Sequence, residues 1–173
     1  MGDPDGDAGG AGDDDAPTPD VALGANPTLY DDVLVPTDGS EGTAAAVRHA
    51  GAIAAAFDAT IHVLSVVDTR NRFESPSAGL AADAWLETQR EHAETAIEGT
   101  VDDLPAGLDV ERVVAEGVPK TEILDYVEER GMDMIVMGTH GRTGIDHYLI
   151  GSVAEKVIRR SPVPVVTVRL DGA

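Results

Sequence analysis

MDMIVMGTHGRTGIDHYLIGSVAEKVIRR, residues 132–160, is the stretch that decides the fold. Its apolar run, Met134-Ile135-Val136-Met137, reads as a short buried strand. Its close, residues 153–160, reads as a helix. Between them Gly138, Gly141 and Gly151 follow the pattern G-x-x-G, nine residues, then G-S. Strand, glycine loop and helix start, in that order, can hold phosphate. Backbone N–H groups at a helix start have no intrahelical partner, and the positive end of the helix dipole faces the anion. Glycine lets backbone approach a ligand closely and take positive φ.

Outward from this stretch the chain alternates strand and helix signals. Val33-Leu34-Val35 is a buried strand ended by Pro36. Ser40 is placed to cap the next helix, with Glu41 in its first turn. Val47, Ala50, Ala54 and Phe57 recur at helical spacing. Residues 61–67 form a second strand, with His62 and Ser65 as polar interruptions. A polar loop, 68–79, precedes a helix over 80–102 whose inner face is Leu86, Ala93, Ile97 and Val101. Residues 108–115 are the third strand, Gly117-Val118-Pro119 a turn, and the next helix runs to Glu129 with Ile123 and Val127 inward. Residues 133–137 are the fourth strand. Val153, Val157 and Ile158 mark the last helix, and the last strand runs from Val163 to Val168. Five strands separated by helices predict an α/β fold, a single open five-stranded parallel sheet with helices on both faces. Ligands in such folds bind beyond the carboxyl ends of the strands, where strand order reverses. The two motifs, Pro36-Thr37-Asp38-Gly39-Ser40 and the glycine loop, follow strands one and four and so converge on one crevice.

At 173 residues the chain fits one domain with room for a core. Residues 1–27, rich in Gly, Asp, Ala and Pro, carry no Lys or Arg and are expected to be a disordered acidic tail ahead of a domain over 28–173. No apolar run is long enough to span a bilayer, no secretory pattern opens the chain, and there is no cysteine. A cytoplasmic protein without disulfides, thiol catalysis or zinc–thiolate sites is the expectation. The net charge is −20, and −13 remains when the seven aspartates of residues 1–27 are set aside. Ten of the twelve basic residues are arginine, and aspartate outnumbers glutamate twenty to twelve. Such a surface opposes nucleic-acid binding at low salt, and no basic stripe is visible. Self-repulsion of this size suits a halophilic cytoplasm, because the Debye length is only about 3 Å at 1 M salt. An ordinary acidic protein with an acidic tail is the other reading.

The P-loop pattern G-x-x-x-x-G-K-[ST] is absent, and so is G-x-G-x-x-G after the first strand. Gly151, Ser152 and Val153 would offer N–H groups at the helix start, with the Ser152 hydroxyl beside them; Gly138 and Gly141 would let backbone close over sugar and phosphates. The other reading makes these glycines turn formers only. Asp38 can accept a ribose hydroxyl, help hold a phosphate-bound Mg²⁺, or brace the turn into the next helix. Arg142 can pair with a terminal phosphate or lie in solvent. His140, His147 and the neighbouring Asp146 have no identifiable catalytic partner in sequence, so no catalytic base is assigned. Arg70 and Arg72 read as surface, Trp85 and Tyr148 as packing residues.

With these residues in view, the chain resembles the universal stress protein family over residues 30–170. VLVPTDGS, IHVLSVVD, GVPKTEIL and above all MDMIVMGTHGRTGIDHYLIGSVAEKVIRRSPVPVVTV carry the likeness. The resemblance implies a Rossmann-like sheet of the adenine nucleotide alpha hydrolase type, and G-x-x-G-x9-G-S marks the subgroup that binds ATP. By position, Asp38 would contact the ribose or the metal–phosphate end, Val66 would hold the adenine through its backbone, and Thr37 would lie beside the adenine pocket. Gly138 and Gly141 would lie against ribose and phosphates, and Gly151, Ser152 and Val153 would bind phosphate. ATP (or ADP or AMP) with Mg²⁺ is the implied ligand, and a homodimer through the last strand the implied assembly. The expected function is a nucleotide-dependent stress-response switch, at most a slow ATPase. A slow nucleotide hydrolase or transferase at the same site, and a dimeric interaction module without nucleotide, are the alternatives.

Overall fold

The computed structural model describes residues 29–70, 80–139 and 150–169. Five strands and four helices alternate: β1 (Asp32–Pro36), α1 (Glu41–Phe57), β2 (Thr60–Asp68), α2 (Leu80–Asp102), β3 (Val110–Gly117), α3 (Pro119–Arg130), β4 (Met134–Gly138), α4 (Ser152–Arg160) and β5 (Val165–Val168). The strands make one all-parallel sheet in the order β3-β2-β1-β4-β5. The chain steps outward from β1 through β2 to β3, then returns to the other side of β1. Strand order therefore reverses between β1 and β4, as the sequence predicts.

Side-chain alternation along the strands divides the core into two layers. Val33, Val35, Ile61, Val63 and Val136 face α1 and α2, meeting Ala46, Val47, Ala50, Ala54 and Ile97. Leu34, Leu64 and Ile135 face α3 and α4, meeting Ile123, Val127, Ala154 and Val157. Val33, Leu34, Ile61, Val63, Ile135, Val136 and Val157 have no exposed surface. Each such side chain contributes about 1.5–3 kcal/mol by leaving water. Both faces of the central strands are covered, which is why they read as unbroken apolar runs.

Several boundaries move. The third strand begins and ends two residues later than its apolar run suggests, so Gly117 closes the strand as well as the turn. In α4 the inward positions are Ala154 and Val157, and Ile158 is 42% exposed instead of marking the core. At α1, Ser40 takes the N-cap backbone conformation but makes no side-chain capping bond, against the sequence expectation. Trp85 packs beside Val67, Leu86 and Ala93, as read.

Candidate functional site

The crevice begins where β1 stops. The Thr37 N–H donates to the Leu64 carbonyl at 2.8 Å, the last bond between β1 and β2, and the chain then turns into α1. Strand β2 runs on to Asp68, paired only with β3. Alternate residues of a strand point their backbone groups to the same neighbour. Since the Leu64 carbonyl points toward β1, the N–H and C=O of Val66 point to that same side, past the end of β1. Val66 thus carries a donor and an acceptor along the edge of the gap.

The turn after β1 is fixed by its own side chains. Gly39 has φ 74° and donates its N–H to Thr37 Oγ1 at 3.1 Å. Asp38 Oδ1 accepts the Ser40 N–H at 3.0 Å and the Thr43 hydroxyl at 3.3 Å. The carboxylate two residues nearer the strand thus anchors the turn, while the Thr43 N–H donates to the Ser40 carbonyl at 3.0 Å. The Ser40 Oγ is buried without a hydrogen-bond partner among the described residues. The bracing reading of Asp38 is what the geometry displays, and its negative charge sits at the positive end of α1.

The other wall is the end of β4. A Cβ added to Gly138 would lie 2.6 Å from the Gly42 carbonyl oxygen of α1. Gly138 is thus required by helix–strand packing, in addition to any approach of ligand. Thr139 is buried; its N–H donates to the Val168 carbonyl at 3.0 Å, and its own carbonyl accepts the Gly151 N–H at 2.8 Å. That last bond ties the start of the glycine loop to its end. It also engages the Gly151 amide, leaving Ser152 and Val153 in the first turn of α4 as the phosphate donors of the sequence reading. First-turn amides have no intrahelical carbonyl to bond. Gly141, Arg142, His140, Asp146, His147 and Tyr148 lie outside the described residues, as does Arg72. Thr37, Asp38, Val66, Gly138, Gly151, Ser152 and Val153 all lie at the carboxyl end of the sheet.

At the rim, Arg70 folds onto Asp68, its Nε donating to the two carboxylate oxygens at 2.8 and 3.0 Å. The Arg70 hydrogen bond holds the Asp68 carboxyl below its usual value. Arg90 donates to Glu116 at 2.7 Å beside it. No cluster of three or more His, Cys, Asp or Glu that could hold a metal occurs among the described residues.

Two groups escape the sequence reading. Thr100 of α2 is buried and its hydroxyl meets that of Thr37 at 2.8 Å. His62, 4% exposed, lies at the opposite end of the sheet. Its Nε2 is 2.9 Å from Asp32 Oδ1 of β1, and its Nδ1 is 2.9 Å from the Tyr126 hydroxyl of α3 and 3.5 Å from Glu111 Oε2 of β3. Arg130 pairs with Glu111 at 3.2 Å and lies over the Tyr126 ring.

The family profile described as "Universal stress protein family" matches residues 29–169. Universal stress protein MJ0531 of Methanocaldococcus jannaschii is 36% identical over 148 residues, covering 82% of this chain and 83% of that protein. The solved structure of hypothetical protein MJ0577, a universal stress protein of the same organism, superposes with a TM-score of 0.73 at 31% identity, covering 84% of this chain and 99% of that one. A universal stress protein crystallised in complex with cAMP superposes with a TM-score of 0.53 at 29% identity, covering 81% and 97%. Profile, sequence and fold agree over the whole described domain: the chain belongs to the universal stress protein family.

Proposed function

We propose that this protein binds an adenine nucleotide, ATP with Mg²⁺ in the first instance, in the crevice between β1 and β4, and acts as a nucleotide-dependent stress-response switch. The observation that carries the reading is the edge left where β1 ends and β2 continues. An adenine edge presents an acceptor ring nitrogen beside an amino donor, and the Val66 backbone presents the complementary pair. Thr37 lies beside that edge. Across the gap, the Ser152 and Val153 amides at the start of α4 suit an anionic group. Gly138 and Gly141 keep the route between base and phosphates free of side chains, and Arg142 supplies a countercharge for the terminal phosphate. Asp38 serves the ribose or a phosphate-bound Mg²⁺ with whatever capacity its turn-bracing role leaves. The likeness to a relative solved with cAMP supports a nucleotide in this fold. Bound ATP supplies its own charge and shape, and a switch results only if two conformations bind it differently.

The reading includes a homodimer through β5. That strand is an edge of the sheet, its valines are only partly buried, and Ile158 of the adjoining α4 and Ile150 before it are 42% and 45% exposed. It also includes a salt-rich cytoplasm. Glu87, Glu91, Glu94, Glu98 and Asp102 are all exposed along α2, whose one Lys or Arg is Arg90. Retention of the fold at very low salt would count against that part.

The test is to purify the protein in molar KCl with Mg²⁺, denature it and identify released nucleotide by chromatography. Stoichiometric adenine nucleotide is the expected result. Gly141→Val should abolish rebinding by filling the space that backbone needs near phosphate. Undiminished rebinding by that variant would remove the glycine loop from the site.

A further inference from the structure

Thr37 and Thr100 stand 63 residues apart in sequence and are 7% and 5% exposed. Their protons can be placed. Thr100 Oγ1 lies 2.7 Å from the Ala96 carbonyl, which only accepts, so the Thr100 hydroxyl donates there. In the 2.8 Å contact between the two hydroxyls Thr37 is then the donor. Thr37 Oγ1 in turn accepts the Gly39 N–H at 3.1 Å. One directed chain runs from the amide of the turn after β1, through two buried hydroxyls, into the backbone of α2. Each donor in it has one acceptor.

This chain runs along the buried side of a groove. A groove of about 560 Å³ separates the start of α1 from α2, and Gly39, Ser40, Thr43, Ala96, Gly99 and Thr100 are among its walls. Gly99 is exposed and a Cβ built on it meets nothing within 4 Å, so the groove is open at that point of α2. On its inner side α2 is packed, with Ala96, Ile97 and Thr100 all buried, so a movement of Thr100 carries the helix with it. Thr37 and Gly39 flank Asp38, whose carboxylate also organises the turn.

We propose that Thr100 is a positioning residue for the nucleotide crevice: through Thr37 it fixes the Thr37–Gly39 turn and couples occupancy of the crevice to α2. The proposal rests on the reading of the crevice as a nucleotide site. It gives α2 a role in the switch, since loosening or tightening of the turn is transmitted to the Thr100 segment through one ordered set of bonds.

The experiment compares the full chain with Thr100→Val and Thr100→Ser in molar KCl with Mg²⁺, using ATP titration and residue-resolved amide hydrogen exchange. Wild type should bind ATP, and binding should slow exchange at Gly39 and in α2 around Thr100. Thr100→Val keeps the shape but removes the hydroxyl. It should exchange faster at Gly39 without ligand and bind ATP roughly three- to tenfold more weakly, the equivalent of one lost hydrogen bond. Thr100→Ser should restore both. Wild-type binding matched by Thr100→Val, with unchanged Gly39 exchange, overturns the role of Thr100 and leaves the nucleotide site standing. A folded wild type that binds no adenine nucleotide overturns the site and its positioning residue together. Should Thr100→Val not fold, wild type decides: slower exchange around Thr100 on adding ATP supports the coupling, and protection confined to the ends of β1 and β4 overturns it.

Discussion

The two ends of the parallel sheet treat polar groups in opposite ways. At the amino end, His62 is enclosed by Asp32, Glu111 and Tyr126, contributed by two strands and a helix, with Arg130 paired to Glu111. Side chain satisfies side chain, and the cluster is complete within the chain. At the carboxyl end, among the described residues, backbone groups and small hydroxyls are arranged around the gap where β1 stops. Charged side chains there are turned to local tasks: Asp38 to its turn, Arg70 to Asp68. A cluster of side chains that satisfy one another stabilises one arrangement. An edge of backbone groups and helix-start amides leaves capacity for a ligand. Position relative to the strands, more than the chemistry of any one side chain, separates the structural end from the end proposed to bind nucleotide.

Substitutions at the two ends should therefore separate stability from binding. Gly138→Val has the largest expected effect, because the new side chain meets the Gly42 carbonyl instead of open space. A loss of about 3 kcal/mol in unfolding free energy is expected, with nucleotide binding lost in whatever folds. Denaturant melts and ATP titration of the same sample check it, and a wild-type midpoint would contradict the packing account. His62→Leu comes next. It strands Asp32 and Tyr126 without their shared partner and should cost about 1–3 kcal/mol of stability. ATP affinity of the folded fraction should stay at the wild-type value; a loss of affinity would erase the contrast between the ends.

Ser152→Ala reverses that pattern, leaving the melting midpoint near wild type and weakening ATP binding by about 0.5–1.5 kcal/mol. Unchanged affinity in calorimetry would make Ser152 structural only. The smallest effect is expected at Glu122. Burial, with Asp125 and Glu129 adding repulsion, holds its carboxyl above the ordinary value. A carboxyl raised in the fold favours folding most fully below its unfolded pKa, and that contribution is lost as pH rises through the folded value. At neutral pH the charged form is the unfavourable one, so Glu122→Gln should add less than about 0.5 kcal/mol. Denaturant midpoints measured from acid to neutral pH should show the gain only on the neutral side.

The sheet and its helices were legible because buried parallel strands are short apolar runs and the helices carry their own period. The two apolar layers follow from the same alternation. The crevice was legible because Thr37-Asp38-Gly39 and the glycine loop both follow strands that neighbour each other across the reversal. Local chemistry was harder to read. Ser40 is a good capping residue by type, yet its hydroxyl makes no capping bond: the Thr43 N–H goes to the Ser40 carbonyl, and Asp38 holds the turn through the Ser40 amide and the Thr43 hydroxyl. The Gly151 amide was counted as a phosphate donor, and only the fold brings the Thr139 carbonyl to it. His62 read as a polar interruption because its partners lie 30 to 64 residues away. Thr100 left a signal, a hydroxyl three residues after Ile97 on the buried side of α2, but nothing in sequence named Thr37 as its partner.

Titration of ATP into ligand-free protein in molar KCl with Mg²⁺, followed by calorimetry, tests the central claim most directly. One saturable site per chain, weakened by Ser152→Ala and indifferent to His62→Leu, is the predicted result. Folded protein that takes up no ATP, or that loses binding with His62→Leu and keeps it with Ser152→Ala, would contradict the assignment of the carboxyl end as the nucleotide site.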